Sequence, residues 1–227
     1  MNAVAIILGI VIIILFFVLY KYFTTTATLL TPRTIIKLKE NQASNTITKI
    51  DNPTSNQYAH GIWVYVNSWD KDIEKTFINY TGSMKIYIDK YRPILKVDIM
   101  VNKNPVTTIV TENFPLQKWV FIIASLDNEF LDVYLDGKLI KSAKFSPNTP
   151  DVASSTPEIT LGNKPFVPFD AFLTKFYRWS VAMDPGTAWN YYMKGNGQNT
   201  LLGSATAYGV NMQVLQNNVE TASYKLM

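Results

Sequence analysis

The sequence predicts a mainly β protein in which a two-sheet antiparallel sandwich follows one transmembrane helix, with one short helix near residues 185–194. Three observations lead to this prediction. Short apolar runs recur roughly every 8–12 residues between turn-forming residues, a spacing typical of sandwiches and barrels rather than alternating βα units. The pair Asp136-Gly137 lies between two apolar runs, which predicts a tight hairpin. Finally, residues 3–20 contain no charged side chain.

The N-terminal apolar segment predicts a membrane anchor over residues 1–22. A helix of ~20 residues crosses the ~30 Å hydrocarbon core of a bilayer, so the segment is just long enough to span. A cleaved signal peptide with a site at Thr25-Thr26-Ala27 is the alternative. It is disfavoured because no basic residue precedes the apolar run and because that run is long. The residues that define the expected anchor are Ala3, Ile10, Ile14, Phe17, Tyr20 and Lys21.

Charges that flank the anchor predict its orientation. No Lys or Arg precedes the segment, whereas Lys21, Arg33, Lys37 and Lys39 follow it. The positive-inside rule therefore places the C-terminal domain on the cytoplasmic side of a single-pass protein. Thr31-Pro32 stops helix continuation, so we expect a linker over residues 23–33 and the sandwich over residues 34–227.

Composition excludes several classes of function. The 21 basic and 17 acidic side chains give a net charge of +4, too small and too dispersed to predict a nucleic-acid partner. The absence of cysteine excludes disulfides, thiolate metal sites and a cysteine nucleophile. His60 is the one histidine and has no Gly-x-Ser-x-Gly element beside it, so we interpret it as structural rather than catalytic.

The strand pattern can be followed along the chain. In Ala59–Val66 the residues Ile62, Val64 and Val66 point one way while Trp63 and Tyr65 point the other. A strand that is apolar on both faces belongs inside a layered structure. Asp184 as N-cap and Pro185 at the first position predict the short helix. Further strands are predicted at Thr34–Lys39, Asn45–Ile50, Lys75–Tyr80, Lys85–Asp89, Ile94–Met100, Val106–Thr111, three strands within Lys118–Ala143, Glu158–Gly162, Phe169–Trp179 and a final hairpin from Tyr208 to Leu226.

From Lys118 onwards the order of elements resembles the concanavalin A-like jelly-roll superfamily in its laminin G-like form. Its elements correspond here to Trp119-Val-Phe-Ile-Ile, Val133-Tyr-Leu-Asp-Gly137, Ile159-Thr-Leu-Gly162 and the aromatic run Phe172 to Trp179. Ala171 departs from the pattern, since the family often has glycine there. The resemblance implies that Trp119 and Trp179 lie in the core. The fold-defining residues are Trp119, Tyr134, Asp136, Gly137, Gly162 and Trp179.

An N-terminal anchor before one cysteine-free domain of this kind is similar to membrane-associated, minor capsid-type virion proteins of large double-stranded DNA viruses. That resemblance implies a non-enzymatic structural module that tethers an internal membrane to the capsid shell, with membrane and capsid components as partners. The alternative is a surface lectin that binds glycans through loop aromatics, with or without calcium. Glycan binding by the purified domain would distinguish the two hypotheses.

Enzyme and metal chemistry are weakly represented. Glucanases of the superfamily deliver their carboxylates from a Glu-x-Asp-x-x-Glu strand, a pattern that this sequence lacks, so we predict no catalytic residues and no enzyme activity. Calcium needs six to eight oxygen ligands, usually from several carboxylates, and we predict no metal site and no cofactor. Trp69 is the best surface aromatic. The candidate ligand-binding residues are Trp69, Asp70, Asp72, Asp127 and Glu129.

Overall fold

The computed structural model describes residues 9–17, 27–30, 35–40, 45–196, 211–216 and 219–225. Within these residues two antiparallel sheets pack into a sandwich, which confirms the predicted mainly β class. The strands are β1 (Ala27–Leu29), β2 (Ile36–Lys37), β3 (Thr46–Ile47), β4 (Gln57–Val66), β5 (Lys75–Tyr80), β6 (Met84–Ile88), β7 (Leu95–Val101), β8 (Asn104–Thr111), β9 (Trp119–Asp127), β10 (Phe130–Leu135), β11 (Lys138–Lys144), β12 (Ile159–Leu161), β13 (Ala171–Trp179), β14 (Asn211–Gln216) and β15 (Val219–Lys225).

The described strands form three sheets. The first sheet has the order β1-β13-β4-β9-β10-β11, with β2 also paired to β13. The second has the order β3-β12-β5-β6-β7-β8. Neighbours such as β4 and β9 are far apart in sequence, so the sheets are built by long connections rather than by hairpins alone. The predicted C-terminal hairpin is present as β14 paired with β15, a separate sheet of two strands.

The N-terminal region differs from the sequence-based expectation in where the sandwich begins. Helix α1 covers residues 9–17, inside the expected anchor, and its Ile10, Ile14 and Phe17 side chains are exposed. Ala3, Tyr20 and Lys21 lie outside the described residues. Among the helices that the structure does describe, none has the length and apolar character required to cross a bilayer. Residues 27–29, expected in the linker, form β1 and pair with β13, so the sandwich begins earlier than predicted.

The first sheet is apolar on both faces, as the pattern of Ala59–Val66 predicts. Its inner face meets the second sheet in the main core, where Ile62, Val64 and Val66 are fully buried. Its outer face carries a second cluster that includes Trp63, Phe121, Ile123, Tyr134 and Trp179. Helix α2 (Pro185–Met193) covers this cluster with Ala188 and Tyr192. The predicted N-cap is present, since the Asp184 side chain accepts from the Thr187 N–H at 2.9 Å.

The Asp136-Gly137 hairpin has the predicted geometry. Both residues have positive φ, 49° and 77°, as a type I′ turn requires. Leu135 pairs with Lys138 across it. Asp136 also does more than turn the chain, because its carboxylate accepts from the Phe121 N–H at 2.9 Å and its own N–H donates to the Phe121 carbonyl at 2.9 Å. The turn thus extends the pairing of β9 beyond the end of β10.

A β-bulge in the middle of β13 reverses which side chains face the core. Thr174 pairs with Trp63 and Tyr177 pairs with Gly61, so two residues of β13 oppose one of β4. Lys175 has a φ of 49° at this point. A bulge of this kind shifts the side-chain alternation by one residue. As a result Phe172 lies on the outer face, whereas Phe176 and Arg178 point into the sandwich.

Candidate functional site

Trp69, the expected surface aromatic, has one face of its ring occupied. The Lys75 ammonium lies 3.9 Å from the ring centroid, and Lys75 is fully buried. The ammonium donates to the carbonyls of Asp70 and Ile73. Burial lowers the pKa of Lys75, and the ring and carbonyls together stabilise the charge that burial disfavours. Trp69 therefore supports a buried lysine, and its covered face is closed to a ligand.

The four acidic candidates have separate local partners. Asp70 accepts from the Asp170 N–H at 3.0 Å, and Asp127 accepts from the Gln57 side-chain amide at 2.8 Å. Glu129 lies 3.7 Å from the Lys144 ammonium. Asp72 lines a cavity that Asp70, Asp127 and Glu129 do not line. In the described part of the chain no three potential metal-ligating side chains come together. The structure thus does not gather these residues into one site.

The fold-defining residues hold the hairpin and the helix together. Trp179 is buried in the outer cluster, and the Tyr134 hydroxyl donates to the Met183 carbonyl at 3.1 Å. Gly137 has Trp189 and Tyr192 of α2 so close that a Cβ would meet them at 3.0 and 3.1 Å. Gly162 has a φ of 102° beside Leu38. Trp119 differs from the expected core position, because it is only half-buried at the margin of the outer cluster.

Three aromatic side chains lie side by side on the outer face of the first sheet. Tyr65 of β4 pairs directly with Trp119 of β9 on one side and with Phe172 of β13 on the other. The ring of Tyr65 lies 5.6 Å from that of Trp119 and 6.0 Å from that of Phe172, centroid to centroid. All three side chains are half-buried. Cross-strand pairing therefore produces a row of rings that runs across three strands.

This row forms the floor of an open groove of about 400 Å³, called here the aromatic groove, whose lining residues are Ile35, Lys37, Tyr65, Asn67, Trp119 and Phe172. Lys37 of β2 pairs with Phe172 and carries an ion pair with Glu40 at 3.3 Å. The Asn67 amide donates to the Asp170 carboxylate at 2.7 Å, which fixes its orientation. An apolar floor with a few oriented polar groups at its margin is the usual composition of a small-ligand site.

Sequence reasoning missed Tyr65 and Phe172 as candidates. The signal for Tyr65 was available, since Trp63 and Tyr65 share the face opposite to Ile62 and Val64. Which part of that face α2 covers depends on tertiary packing. Phe172 required knowledge of the bulge, which separates it from Phe176.

A family model described as the concanavalin A-like lectin/glucanases superfamily matches residues 39–207, more than half of the chain. The chain belongs to this superfamily. Membership confirms the concanavalin A-like, laminin G-like fold that the sequence predicts, and the jelly-roll sheets described above agree with it. Comparison with curated protein sequences gives no significant match.

Solved structures similar to this superfamily member include toxin binding domains. The botulinum neurotoxin serotype D binding domain has a TM-score of 0.57 at 14% identity, covering 71% of this chain and 43% of the toxin chain. The binding domain of botulinum neurotoxin DC in complex with rat synaptotagmin II has a TM-score of 0.55 at 14% identity, covering 74% and 45%. The same domain in complex with SialylT has a TM-score of 0.53 at 15% identity, covering 66% and 38%. The chain spans less than half of these toxin chains, and the likeness shows the fold alone.

Proposed function

We propose that the chain is a non-catalytic binding module that holds a glycan in the aromatic groove. The observation that carries this proposal is the row Phe172, Tyr65 and Trp119, three half-buried rings in register on adjacent strands. Aromatic faces bind the apolar face of a flat ligand, and Tyr and Trp also have a polar group that can reach water or ligand hydroxyls. Lys37 and Asn67 at the margin supply further hydrogen-bond donors.

Two further facts support a binding role. Contiguous exposed apolar surface commonly marks an interaction or ligand site, so an open aromatic groove favours a ligand site over a purely structural surface. The toxin domains of similar fold were solved in complexes that include SialylT and rat synaptotagmin II. The glucanase carboxylate pattern is absent from the sequence, which supports a module without catalytic residues.

The tether between an internal membrane and a capsid shell, with the sandwich on the cytoplasmic side of the membrane, stays a prediction from the sequence. No contact among the described residues favours it. Localisation of the protein in fractionated particles, with crosslinking to its neighbours, would test that role. A glycan-binding sandwich is compatible with it, since the groove leaves the opposite sheet available for other contacts.

A glycan array probed with the full-length chain tests the proposal. We expect specific binding that Tyr65→Ala weakens by about tenfold, because an aromatic contact contributes about 1.4 kcal/mol. Tyr91→Ala is the matched control, since Tyr91 is an exposed tyrosine that does not line the groove. Tyr65→Ala also loses ring contacts with Trp119 and Phe172 and should unfold at a lower temperature than the parent chain. Thermal unfolding should show that both variants are still folded at the temperature of the array. Absence of any array signal, or equal binding by Tyr65→Ala and the parent chain, would contradict the proposal.

A further inference from the structure

Arg178 is a buried cation that forms no ion pair with a described residue. Only 3% of its surface is exposed. A buried charge is strongly disfavoured unless an opposite charge or several good hydrogen bonds compensate it. The β13 bulge places Arg178 on the inner face beside His60, so its burial follows from the backbone of the strand.

The hydrogen bonds of Arg178 are long and neutral. One terminal nitrogen lies 3.3 Å from Nε2 of His60, and the other donates to the carbonyls of Asp51 and Asn52 at 3.4 and 3.3 Å. Its Nε has no partner. Tyr58 lies face-on, with the guanidinium carbon 4.9 Å from the ring centroid. These contacts support the planar group but leave its charge and one of its donors unused.

Neither His60 nor the two adjacent tyrosines can balance this charge. Burial, reinforced by the guanidinium, holds the pKa of His60 well below its usual range, so the imidazole is neutral at physiological pH. Burial raises the pKa of Tyr58 and of Tyr80, which keeps both hydroxyls protonated. Their hydrogen bonds go elsewhere, to the Ser83 hydroxyl at 2.6 Å and the Pro53 carbonyl at 2.8 Å. The four side chains of Arg178, His60, Tyr58 and Tyr80 together therefore carry one net positive charge.

Arg178 forms part of the wall of a cavity of about 440 Å³ between β1, the end of β13 and the loop before β4. A second cation, Lys49, and the hydroxyl side chains of Thr28 and Ser180 line the same cavity. Asp51 is the one acidic residue on this wall. Its carboxylate forms no ion pair with Arg178 or Lys49 within 4.0 Å, although its charge partly offsets the lowering of the Arg178 pKa by burial. The cavity thus combines two cations and two hydroxyl side chains with one carboxylate, which leaves an excess of positive charge.

We propose that this cavity binds a small oxyanion group, a phosphate, sulfate or carboxylate, on Arg178 and Lys49. Arginine is well suited to such groups, because its planar fork carries five N–H donors on a permanent charge. The three contacts of Arg178 described above, with one imidazole and two carbonyls, do not use all of these donors. Thr28 and Ser180 supply additional donors of the kind that oxyanion sites use. The site is separate from the aromatic groove, which lies on the outer face of the first sheet, so either can fail without the other.

Calorimetric titration of the full-length chain with sodium sulfate, sodium phosphate and sodium acetate, at constant ionic strength, tests the proposal. We expect saturable binding of at least one anion with one site per chain. Sulfate and phosphate represent tetrahedral groups and acetate represents a carboxylate, so the tightest of the three identifies the class of group. Lys49→Ala should weaken that binding by about two- to fivefold, as expected for one exposed charge.

Lys141→Ala is the matched control, since Lys141 is an exposed lysine on β11, at the far edge of the same sheet. Arg178→Lys keeps the charge but loses the fork, and should weaken binding by about tenfold. If Arg178→Lys does not fold, Lys49→Ala decides the question because Lys49 is exposed. The proposal is overturned if no anion binds saturably, or if Lys49→Ala binds as tightly as Lys141→Ala.

Discussion

Gly61 shows how one missing side chain permits the packing of the outer face. A Cβ at this position would lie 2.7 Å from two ring carbons of Trp179 and 3.3 Å from Phe121. The Trp179 indole lies directly over the backbone of β4, at the point where the β13 bulge ends. The rigid ring has α2 residues against it, including Tyr191 at 4.9 Å between centroids, so it cannot move aside without disturbing the helix.

We expect Gly61→Ala to lower the free energy of unfolding by about 2 kcal/mol, through overpacking against Trp179. Gly82→Ala is the control, since a Cβ at Gly82 would meet no atom within 4 Å. Its φ of 77° is strained for alanine, which costs about 1 kcal/mol. Urea denaturation at 25 °C measures both values. A Gly61→Ala variant no less stable than Gly82→Ala would mean that Trp179 is not fixed as described.

His60 predicts a dependence of stability on pH. Its pKa is held far below the value near 6.5 of an exposed histidine, so only the unfolded chain takes up this proton as the pH falls through about 6.5. The contribution is fully present above that pH. Below it the free energy of unfolding decreases by ~1.4 kcal/mol per pH unit, until the lower pKa of the folded state is reached.

Urea denaturation at about pH 7.5 and about pH 5.5 should therefore show a loss of roughly 1.4 kcal/mol for the parent chain. His60→Gln removes the chain's one histidine. The variant should therefore lose most of this difference between the two pH values, whatever its stability at neutral pH. A parent chain and a His60→Gln variant with the same pH dependence would contradict the buried neutral state of His60.

At the scale of elements, the hairpin between β10 and β11 couples the first sheet to α2. Asp136 bonds to both backbone groups of Phe121, while Gly137 lies against Trp189 and Tyr192 of the helix. The turn is thus held from the strand side and from the helix side at once. Any change in its geometry would displace α2, which is the cover of the outer apolar cluster.

Asp136→Ala should lower the free energy of unfolding by about 2–3 kcal/mol, because it leaves the Phe121 N–H unsatisfied and puts alanine at positive φ. Asp136→Asn tolerates positive φ better and should lose less. Asp132→Ala on the adjacent strand β10 is the control, since the Asp132 carboxylate accepts from the exposed Ser142 hydroxyl, and it should change stability by about 0.5 kcal/mol. Equal effects of Asp136→Ala and Asp132→Ala in thermal unfolding would refute the coupling.

Across the whole molecule, the features that the sequence predicts correctly are those determined by interactions between neighbouring residues. The sandwich class, the Asp136-Gly137 turn and the start of α2 at Asp184 depend on short patterns whose meaning is fixed by backbone sterics and capping. These elements lie where they were expected. The superfamily resemblance from Lys118 onwards is confirmed by the family match.

The sites depend on packing between distant segments, which local patterns do not contain. The sequence predicts Trp69 to be a free surface ring, whereas in the structure the Lys75 ammonium lies over one face of that ring. The bulge at Lys175 moves Phe172 and Arg178 to opposite sides of the sheet, and no turn residue marks it. Trp119 has the sequence context of a core residue, yet it is only half-buried at the margin of the outer cluster. The contact between Trp69 and Lys75 joins residues that are close in sequence but depends on how the loop between them folds. The positions of Phe172, Arg178 and Trp119 depend on pairing and packing between segments far apart in the chain.

The register of the aromatic row has a thermodynamic consequence. Tyr65, Trp119 and Phe172 are held by the hydrogen-bond ladder of three adjacent strands, so their spacing is set before any ligand arrives. A preorganised surface loses little conformational entropy on association, and the ordering penalty then falls mainly on the ligand. Stiff, flat ligands should accordingly be favoured over flexible ones of equal area, and burial of the rings should give association a negative heat-capacity change.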